Sequence, residues 1–217
     1  MRTHPNRSAR AGFTLLEVAV SGLMLGLILG AAALVSSTGG QAARYADLQS
    51  RVQTKARRAL DRVVEQLNAA SQSQIAPDPG AVGTSTFSFR KVASVSNAGV
   101  VTFSNTFRLD LLDDDGEADD GVDNDGDLSI DEKQLVLTLD SGLASEKNIT
   151  LAHDVRELMG TEIANGVDDD GDGLADEPGF LVTRSGSLLT LRLTIEQSLA
   201  DRRVATTTLQ TAVLLRN

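Results

Sequence analysis

The chain has 217 residues, a length that suits one membrane segment followed by one globular domain. It contains no cysteine, which excludes disulfides, iron–sulfur clusters and thiolate–zinc sites. It has no Trp, one Tyr and a formal net charge of −10, so base-stacking platforms and attraction to a phosphate backbone are both unfavoured. We therefore expect no nucleic-acid partner.

An apolar run near the N-terminus covers residues 13–35 and carries one charge, at Glu17. Twenty-three such residues are enough to cross a hydrocarbon core of about 30 Å as a helix. The run is too long for the apolar region of an ordinary secretory signal, and a plain membrane anchor gives no reason for Glu17. Residues 1–12, the leader, hold three arginines and no acidic residue, which favours a cytoplasmic N-terminus.

Gly12 and Phe13, followed by Glu17 and the apolar run, resemble the class III signal of type IV pilins and type II secretion pseudopilins. The resemblance covers about the first 35 residues. It implies cleavage after Gly12 by a prepilin peptidase and methylation of the new amine on Phe13. It also implies that Glu17 pairs with that amine on a neighbouring subunit. The expected location is the inner membrane with a periplasmic head, and then a filament of pilins or pseudopilins.

Three glycines recur every four residues in the membrane run, at Gly22, Gly26 and Gly30. This spacing gives a flat stripe on which another helix can pack. Glycine is also simply common in membrane helices, and the sequence does not separate these two interpretations. No proline lies between residues 6 and 76, and that absence favours a minor rather than a major subunit within the family that the signal resembles.

An amphipathic pattern follows the membrane run. Apolar residues recur with a helical period between Leu48 and Leu67, among many charged residues. We predict one nearly continuous helix from residue 13 to about residue 70, with residues 13–35 in the membrane and residues 36–70 under a globular head. Residues 71–83 contain Pro77 and Pro79 and are predicted to be a linker.

The remaining residues, 84–217, are predicted to form a β-rich head. Segments with a period of two, rich in Thr, Val, Leu and Phe, predict strands at residues 84–92, 100–111, 134–139, 148–153, 180–184, 188–196 and 204–215. Residues 155–159 are either a short helical turn or another strand. A long helix packed on an antiparallel sheet is an α+β fold, which is also the shape that the pilin resemblance implies.

Two short segments of the head hold most of the acidity. Residues 113–132 contain eleven carboxylates and residues 165–177 contain six, of thirty in the whole chain. Residues 120–132 also recur as residues 165–177, with Gly, Val, three alternating Asp and a closing Asp-Glu at a constant offset of 45. This is a local duplication of a loop motif, in contrast to the repeats of a solenoid.

Alternating aspartates at this spacing suit Ca²⁺, which binds six to eight oxygen ligands from a tightly wound loop. The predicted ligands in the second segment are Asp168, Asp170, Asp172, the Leu174 carbonyl and Asp176. Those in the first segment are Asp123, Asp125, Asp127, the Ser129 carbonyl and Asp131. The segments resemble thrombospondin type 3 and dockerin-like calcium loops. Magnesium is less expected because it keeps its waters.

A second register is open. It places Gly126 and Gly171 at the sixth position and Glu132 and Glu177 at the twelfth, but leaves a glycine at the first position, where a carboxylate is expected. Upstream, Asp113, Asp115 and Glu117 either extend the first cluster or form a third partial site. The plain alternative to any metal is a solvated acidic loop.

The sequence contains no recognisable catalytic constellation. His4 lies in the leader, His153 stands alone, and the Gly-rich stretches lack a P-loop lysine. We therefore expect a non-enzymatic minor pilin or pseudopilin with a calcium-stabilised head. The other readings are a membrane-tethered calcium-binding adhesin or binding module that forms no filament, and an exported enzyme on a pilin-like anchor. The sequence does not choose between a type IV pilus and type II secretion.

Overall fold

The computed structural model describes residues 14–171 and 173–215. Its single helix among these residues, α1, spans Leu15–Leu67. Thr14 and Glu17 start it with a capping box, in which the Glu17 carboxylate accepts the Thr14 amide at 2.9 Å and the Thr14 hydroxyl accepts the Glu17 amide at 3.2 Å. The predicted processing residues Gly12 and Phe13 and the predicted ligand Asp172 lie outside the described residues.

The chain divides into two compact units, and the first ends at Arg44. Its described part is helical from Leu15 onwards and exposed on all sides. The apolar helix is long enough to span a membrane and is the single candidate span among the described residues. A Cβ added at Gly22, Gly26 or Gly30 would meet nothing within 4 Å, so the stripe is open in this unit. Its role in helix packing stays a prediction.

The second unit, Tyr45–Asn217, is the head. Here α1 buries one face, because its apolar residues recur at intervals of three and four. The buried residues are Leu48, Val52, Ala56, Ala59, Leu60, Val63 and Leu67. They share one hydrophobic core with the inward-facing residues of the sheet, including Phe87, Phe89 and Phe180. Two polar contacts fix the helix on the strands: Lys55 forms an ion pair with Asp154, and Gln49 Nε2 donates to Thr207 Oγ1 at 2.8 Å.

Nine antiparallel strands follow α1 among the described residues of the head. They are β1 Ala70–Ala76, β2 Phe87–Val95, β3 Val101–Phe103, β4 Phe107–Asp113, β5 Lys133–Leu139, β6 Lys147–Val155, β7 Phe180–Ser185, β8 Leu188–Ser198 and β9 Val204–Leu214. The order across the sheet is β1-β2-β4-β5-β6-β8-β7, with β3 paired to β2 and β9 paired to β8. A long N-terminal helix followed by an antiparallel sheet confirms the predicted α+β class.

Three local predictions were wrong. The first part of the predicted linker, residues 71–83, belongs to β1, where Ser71 and Ile75 are buried although most of the segment is polar. The predicted strand at residues 100–111 is two strands, β3 and β4, because residues 104–106 between them form no strand and the chain bends at Asn105. Residues 155–159 form neither a helical turn nor a separate strand: Val155 ends β6, and residues 156–159 are irregular with one bridge, Leu158 to Pro178.

Replacing Leu67 tests the packing of the helix on the sheet. Leu67 is 0% exposed at the last turn of α1, so Leu67→Ala leaves a cavity and should lower the free energy of unfolding by about 2–4 kcal/mol. Leu143→Ala is the matched control, because Leu143 is 49% exposed and its truncation should cost less than about 1 kcal/mol. Urea unfolding of the full chain in detergent measures both, and equal losses would contradict this account of the core.

Candidate metal-binding loops

The two acidic segments are long connections between strands. The first loop, residues 114–132, joins β4 to β5, and the second loop, residues 159–177, lies between β6 and β7. The same backbone bond closes both loops: the Asp114 amide donates to the Glu132 carbonyl at 2.9 Å, and the Met159 amide donates to the Glu177 carbonyl at 2.8 Å. The structural repeat therefore begins six residues before the repeat visible in the sequence. Loops of this length without secondary structure are uncommon in compact domains and are usually functional.

Both loops turn at equivalent positions. Residues with positive φ recur at the offset of 45, as Gly121 and Gly166, Gly126 and Gly171, Leu128 and Gly173, and Asp131 and Asp176. Leu128 has φ 78°, where a side chain is strained, and the second loop has glycine at this position with φ 97°. The sixth position is left-handed in both counting registers, so backbone conformation does not choose between them.

Asp123 and Asp168 hold the central turn of each loop. Asp123 accepts the Gly126 amide at 2.6 Å on Oδ1 and the Leu128 amide at 3.0 Å on Oδ2. Asp168 accepts the Gly171 amide at 2.6 Å and the Gly173 amide at 2.9 Å in the same way. A carboxylate oxygen has two lone pairs, so each aspartate keeps acceptor capacity after making these bonds.

Glu117 and Glu162 bring a further carboxylate to each loop. Oxygens of Glu117, Asp123 and Asp125 lie within 4.8 Å of one another, and so do those of Glu162, Asp168 and Asp170. Glu117 Oε1 accepts the amides of Asn124 (3.0 Å) and Asp125 (2.9 Å). Glu162 Oε1 accepts those of Asp169 (2.9 Å) and Asp170 (3.0 Å). Sequence reasoning missed Glu162 and left Glu117 as a vague extension, although comparing the two segments three residues further upstream would have aligned them.

Glu132 is the most unusual carboxylate of the head. It is 5% exposed, and both of its carboxylate oxygens are buried without a hydrogen-bond partner among the described residues. Glu117 Oε2 is buried and unpartnered in the same way. Burial, together with the nearby charges of Asp127, Glu117 and Asp125, raises the pKa of Glu132 to about 7. Buried polar atoms normally have partners, so these three oxygens require an explanation.

Three other predicted ligands, Asp131, Asp176 and Glu177, do not belong to the two carboxylate clusters that contain Glu117 and Glu162. Asp131 accepts the Asp120 and Gly121 amides, each at 3.0 Å, and its carboxylate groups with those of Asp119 and Glu157. Asp176 accepts the equivalent amides, from Asn165 at 3.1 Å and Gly166 at 2.7 Å. Glu177 is 3% exposed at the position equivalent to Glu132.

Asp127 and the upstream aspartates complete the first loop. Asp127 Oδ1 accepts the Ser129 amide at 2.9 Å, and burial raises the Asp127 pKa. Asp113 forms an ion pair with Lys133 at 2.7 Å, and Asp115 accepts from Gln134 at 3.2 Å. These two aspartates therefore serve the strand ends rather than a third partial site. The Ser129 and Leu174 carbonyls stay predictions as backbone ligands.

Both clusters offer oxygen donors alone, from closely spaced carboxylates on tightly turned loops. Such donors favour a hard cation, and the varied directions of the side chains suit the flexible coordination of Ca²⁺ better than the strict octahedron of Mg²⁺. Exposed acidic groups are also common without an ion, so Glu132 and the unpartnered oxygens are the more specific feature.

The chain was compared with known proteins in three ways. No family model, no curated protein and no solved structure matched it.

The raised pKa of Glu132 predicts a pH dependence of the metal-free chain. A carboxyl whose pKa is higher in the folded state than in the unfolded state binds more protons when folded, so stability falls as pH rises. The loss should occur between about pH 4.5 and about pH 7 and amount to at most roughly 3 kcal/mol. Urea unfolding in calcium-depleted buffer at pH 5 and pH 7.5 measures it. Glu132→Gln is the control and should reduce this slope; an unchanged slope would contradict the assignment to Glu132.

Proposed function

We propose that this chain is a structural, non-enzymatic minor subunit of the type IV pilin and type II secretion pseudopilin kind. A prepilin peptidase cuts it after Gly12, residues 13–35 hold it in the inner membrane, and the head lies in the periplasm until assembly. The observation that carries this proposal is the sequence spacing of Gly12, Phe13 and Glu17, together with the exposed apolar helix that begins at Leu15 and contains Glu17.

Glu17 has a local role in addition to the proposed one. Its carboxylate caps α1 through Thr14, which gives the residue a reason to be present without any neighbour. A capping box also accepts glutamine at this position, because the bond needs an acceptor and not a charge. Pairing with the N-terminal amine of another subunit needs the negative charge. The two roles therefore respond differently to Glu17→Gln.

Calcium in the two loops is the second part of the proposal. The head has no cysteine, so disulfides cannot hold its two 19-residue loops. Two equivalent clusters of carboxylates and the buried oxygens of Glu132 support a divalent cation in this role. An ion bound to the folded head and not to the unfolded chain stabilises the head by mass action.

A calcium-binding adhesin or binding module tethered to the membrane is the second candidate. It is favoured by apolar side chains that the loops leave in solvent: Val122 is 55% exposed and its repeat partner Val167 is 56% exposed. Ile130 and Ile163 are exposed as well. Such residues are available to contact a partner, although scattered exposed apolar residues are common on folded proteins.

Substitution of Glu17 tests the assembly role. Glu17→Ala and Glu17→Gln should both leave cleavage after Gly12 intact and both abolish incorporation into the filament, because each removes the charge that pairs with the amine. Glu17→Gln retains a capping side chain and is the matched control for helix structure. The mass of the processed chain measures cleavage, and recovery in sheared filaments measures incorporation. Normal incorporation of Glu17→Gln would show that helix capping is the sole role of Glu17. If the unsubstituted chain forms no filament, the adhesin candidate gains support.

Removal of calcium tests the second part. With Ca²⁺ at about 100 times the dissociation constant, each site should add about 2.7 kcal/mol to the free energy of unfolding, which chelation removes. The full chain in detergent should therefore have a lower melting temperature after chelation, and Ca²⁺ should restore it better than Mg²⁺. The control is a variant with Asp123→Asn and Asp168→Asn, which should respond much less. A melting temperature indifferent to chelation would exclude calcium from this role.

A further inference from the structure

We infer that the first loop binds one Ca²⁺ through the carboxylates of Glu117, Asp123, Asp125 and Glu132, a ligand set that neither counting register of the sequence describes. This inference rests on the calcium part of the proposed function and assigns its ligands. Glu117 lies before the repeat visible in the sequence, Asp123 and Asp125 belong to both registers, and Glu132 belongs to the second register alone.

Three of these ligands already converge in the structure. The oxygens of Glu117, Asp123 and Asp125 are mutually within 4.8 Å, and backbone amides hold two of these side chains in place. Glu117 Oε1 is fixed by the amides of Asn124 and Asp125, which leaves Oε2 free to face the cluster. Asp123 is fixed by the amides of the central turn. A site ordered in this way loses little conformational freedom when an ion binds.

The burial of Glu132 is a second observation that favours a metal site over a plain acidic cluster. Its carboxylate is almost fully buried, and three oxygens (both of Glu132 and Oε2 of Glu117) lack any hydrogen-bond partner among the described residues. No basic side chain forms an ion pair with Glu132 or Glu117 in the described part of the chain. A buried carboxylate without a donor is costly, and a divalent cation satisfies several such oxygens at once.

The ligand count also fits calcium. Four carboxylates supply four oxygens, or five if Glu132 binds through both of its oxygens, as the closing glutamate of an EF-hand does. Backbone carbonyls or water would supply the remaining positions of a six- to eight-oxygen shell.

Asp131 is excluded from this set although the first register makes it a ligand. Its two oxygens accept the backbone amides of Asp120 and Gly121, and its carboxylate belongs to a different group, with Asp119 and Glu157. The Lys133 Nζ lies 3.6 Å from Asp119 Oδ2 in that group, so a positively charged side chain already balances part of the negative charge there. Asp131 therefore shapes the entry of the loop. The next residue, Glu132, has two buried oxygens without a hydrogen-bond partner among the described residues, and it is near enough to Glu117 and Asp125 for their charges to act on it.

The position of Glu132 gives the ion a structural role. Glu132 directly precedes Lys133, the first residue of β5, and its carbonyl closes the loop by accepting the Asp114 amide. Glu117 accepts two amides from the middle of the loop. An ion shared by Glu117 and Glu132 would join the middle of the loop to the start of β5.

Calcium titration of the full chain in detergent tests the ligand set. The parent variant carries Glu162→Gln, Asp168→Asn and Asp170→Asn, so that the first loop alone keeps its cluster. In this parent, Glu117→Gln and Glu132→Gln should each weaken Ca²⁺ binding by at least about 100-fold. Asp131→Asn is the matched control: it removes one charge from the same loop, retains an oxygen for the Asp120 and Gly121 amides, and should change the affinity by less than about fivefold. The unfolding midpoint of each variant without calcium, compared with the parent, verifies folding.

The outcomes separate this inference from the proposed function. Loss of binding in Asp131→Asn with near-parental affinity in the two glutamine variants would overturn the ligand set and favour the register counted from Asp123. Absence of binding in the parent, with binding in the unsubstituted chain, would also overturn it. Absence of binding in the unsubstituted chain would overturn both the ligand set and the calcium part of the proposed function, while the Glu17 experiment would still test assembly.

Discussion

Repulsion between closely spaced carboxylates is the constraint that shapes the head. Two loops hold more than half of the acidic residues of the chain, and each must bring several of them within 4.8 Å of one another. Backbone amides absorb part of the charge: residues such as Asp123, Asp131 and Glu117 each accept two or more of them. Several of these amides belong to residues in the left-handed conformation, because successive amides in such turns can point at one carboxylate. The Glu132 carboxylate accepts no such amide among the described residues, and its two buried oxygens are the reason for proposing a cation in the first loop.

The same repeat shows how far sequence reasoning extends. The offset of 45 between the loops was visible because glycines and aspartates that fix the turns cannot vary without changing the turn. Glu162 was not found, and Glu117 was named as one of two possibilities without its equivalent, because the residues between them and the visible repeat differ (Ala118 and Asp119 against Ile163 and Ala164). Counting left two registers open, and the left-handed backbone at the sixth position of both does not choose between them.

For the fold, long segments with periodic apolar residues predicted the secondary structure correctly, whereas the short polar segment of β1 did not. The helix and most strands were predicted because burial of one face imposes a period on Leu, Val and Phe. Strand β1 was missed because most of its residues are polar and it pairs with β2 through Ala70, Ile75 and Ala76, a pairing that no local pattern shows. The break between β3 and β4 likewise lies where the Ser104 hydroxyl accepts the Lys91 amide of β2, a contact between segments that are separate in sequence. Tertiary contacts decide such elements, and they are absent from any window of sequence.

Glu17 presents the opposite electrostatic problem to Glu132. Glu132 is buried in the head with oxygens that have no partner among the described residues, whereas Glu17 is exposed and satisfied by Thr14 within its own first turn. In water that cap would be sufficient. In a membrane it leaves a net charge in a medium where isolated charge costs at least about 2.5–3.5 kcal/mol, and a hydrogen bond from a neutral hydroxyl does not remove that cost. A neighbouring cation does remove it. The proposed partner of Glu17 is therefore an ammonium group on another subunit, and that of Glu132 is a metal ion. Each proposal follows from a carboxylate that its own surroundings leave uncompensated.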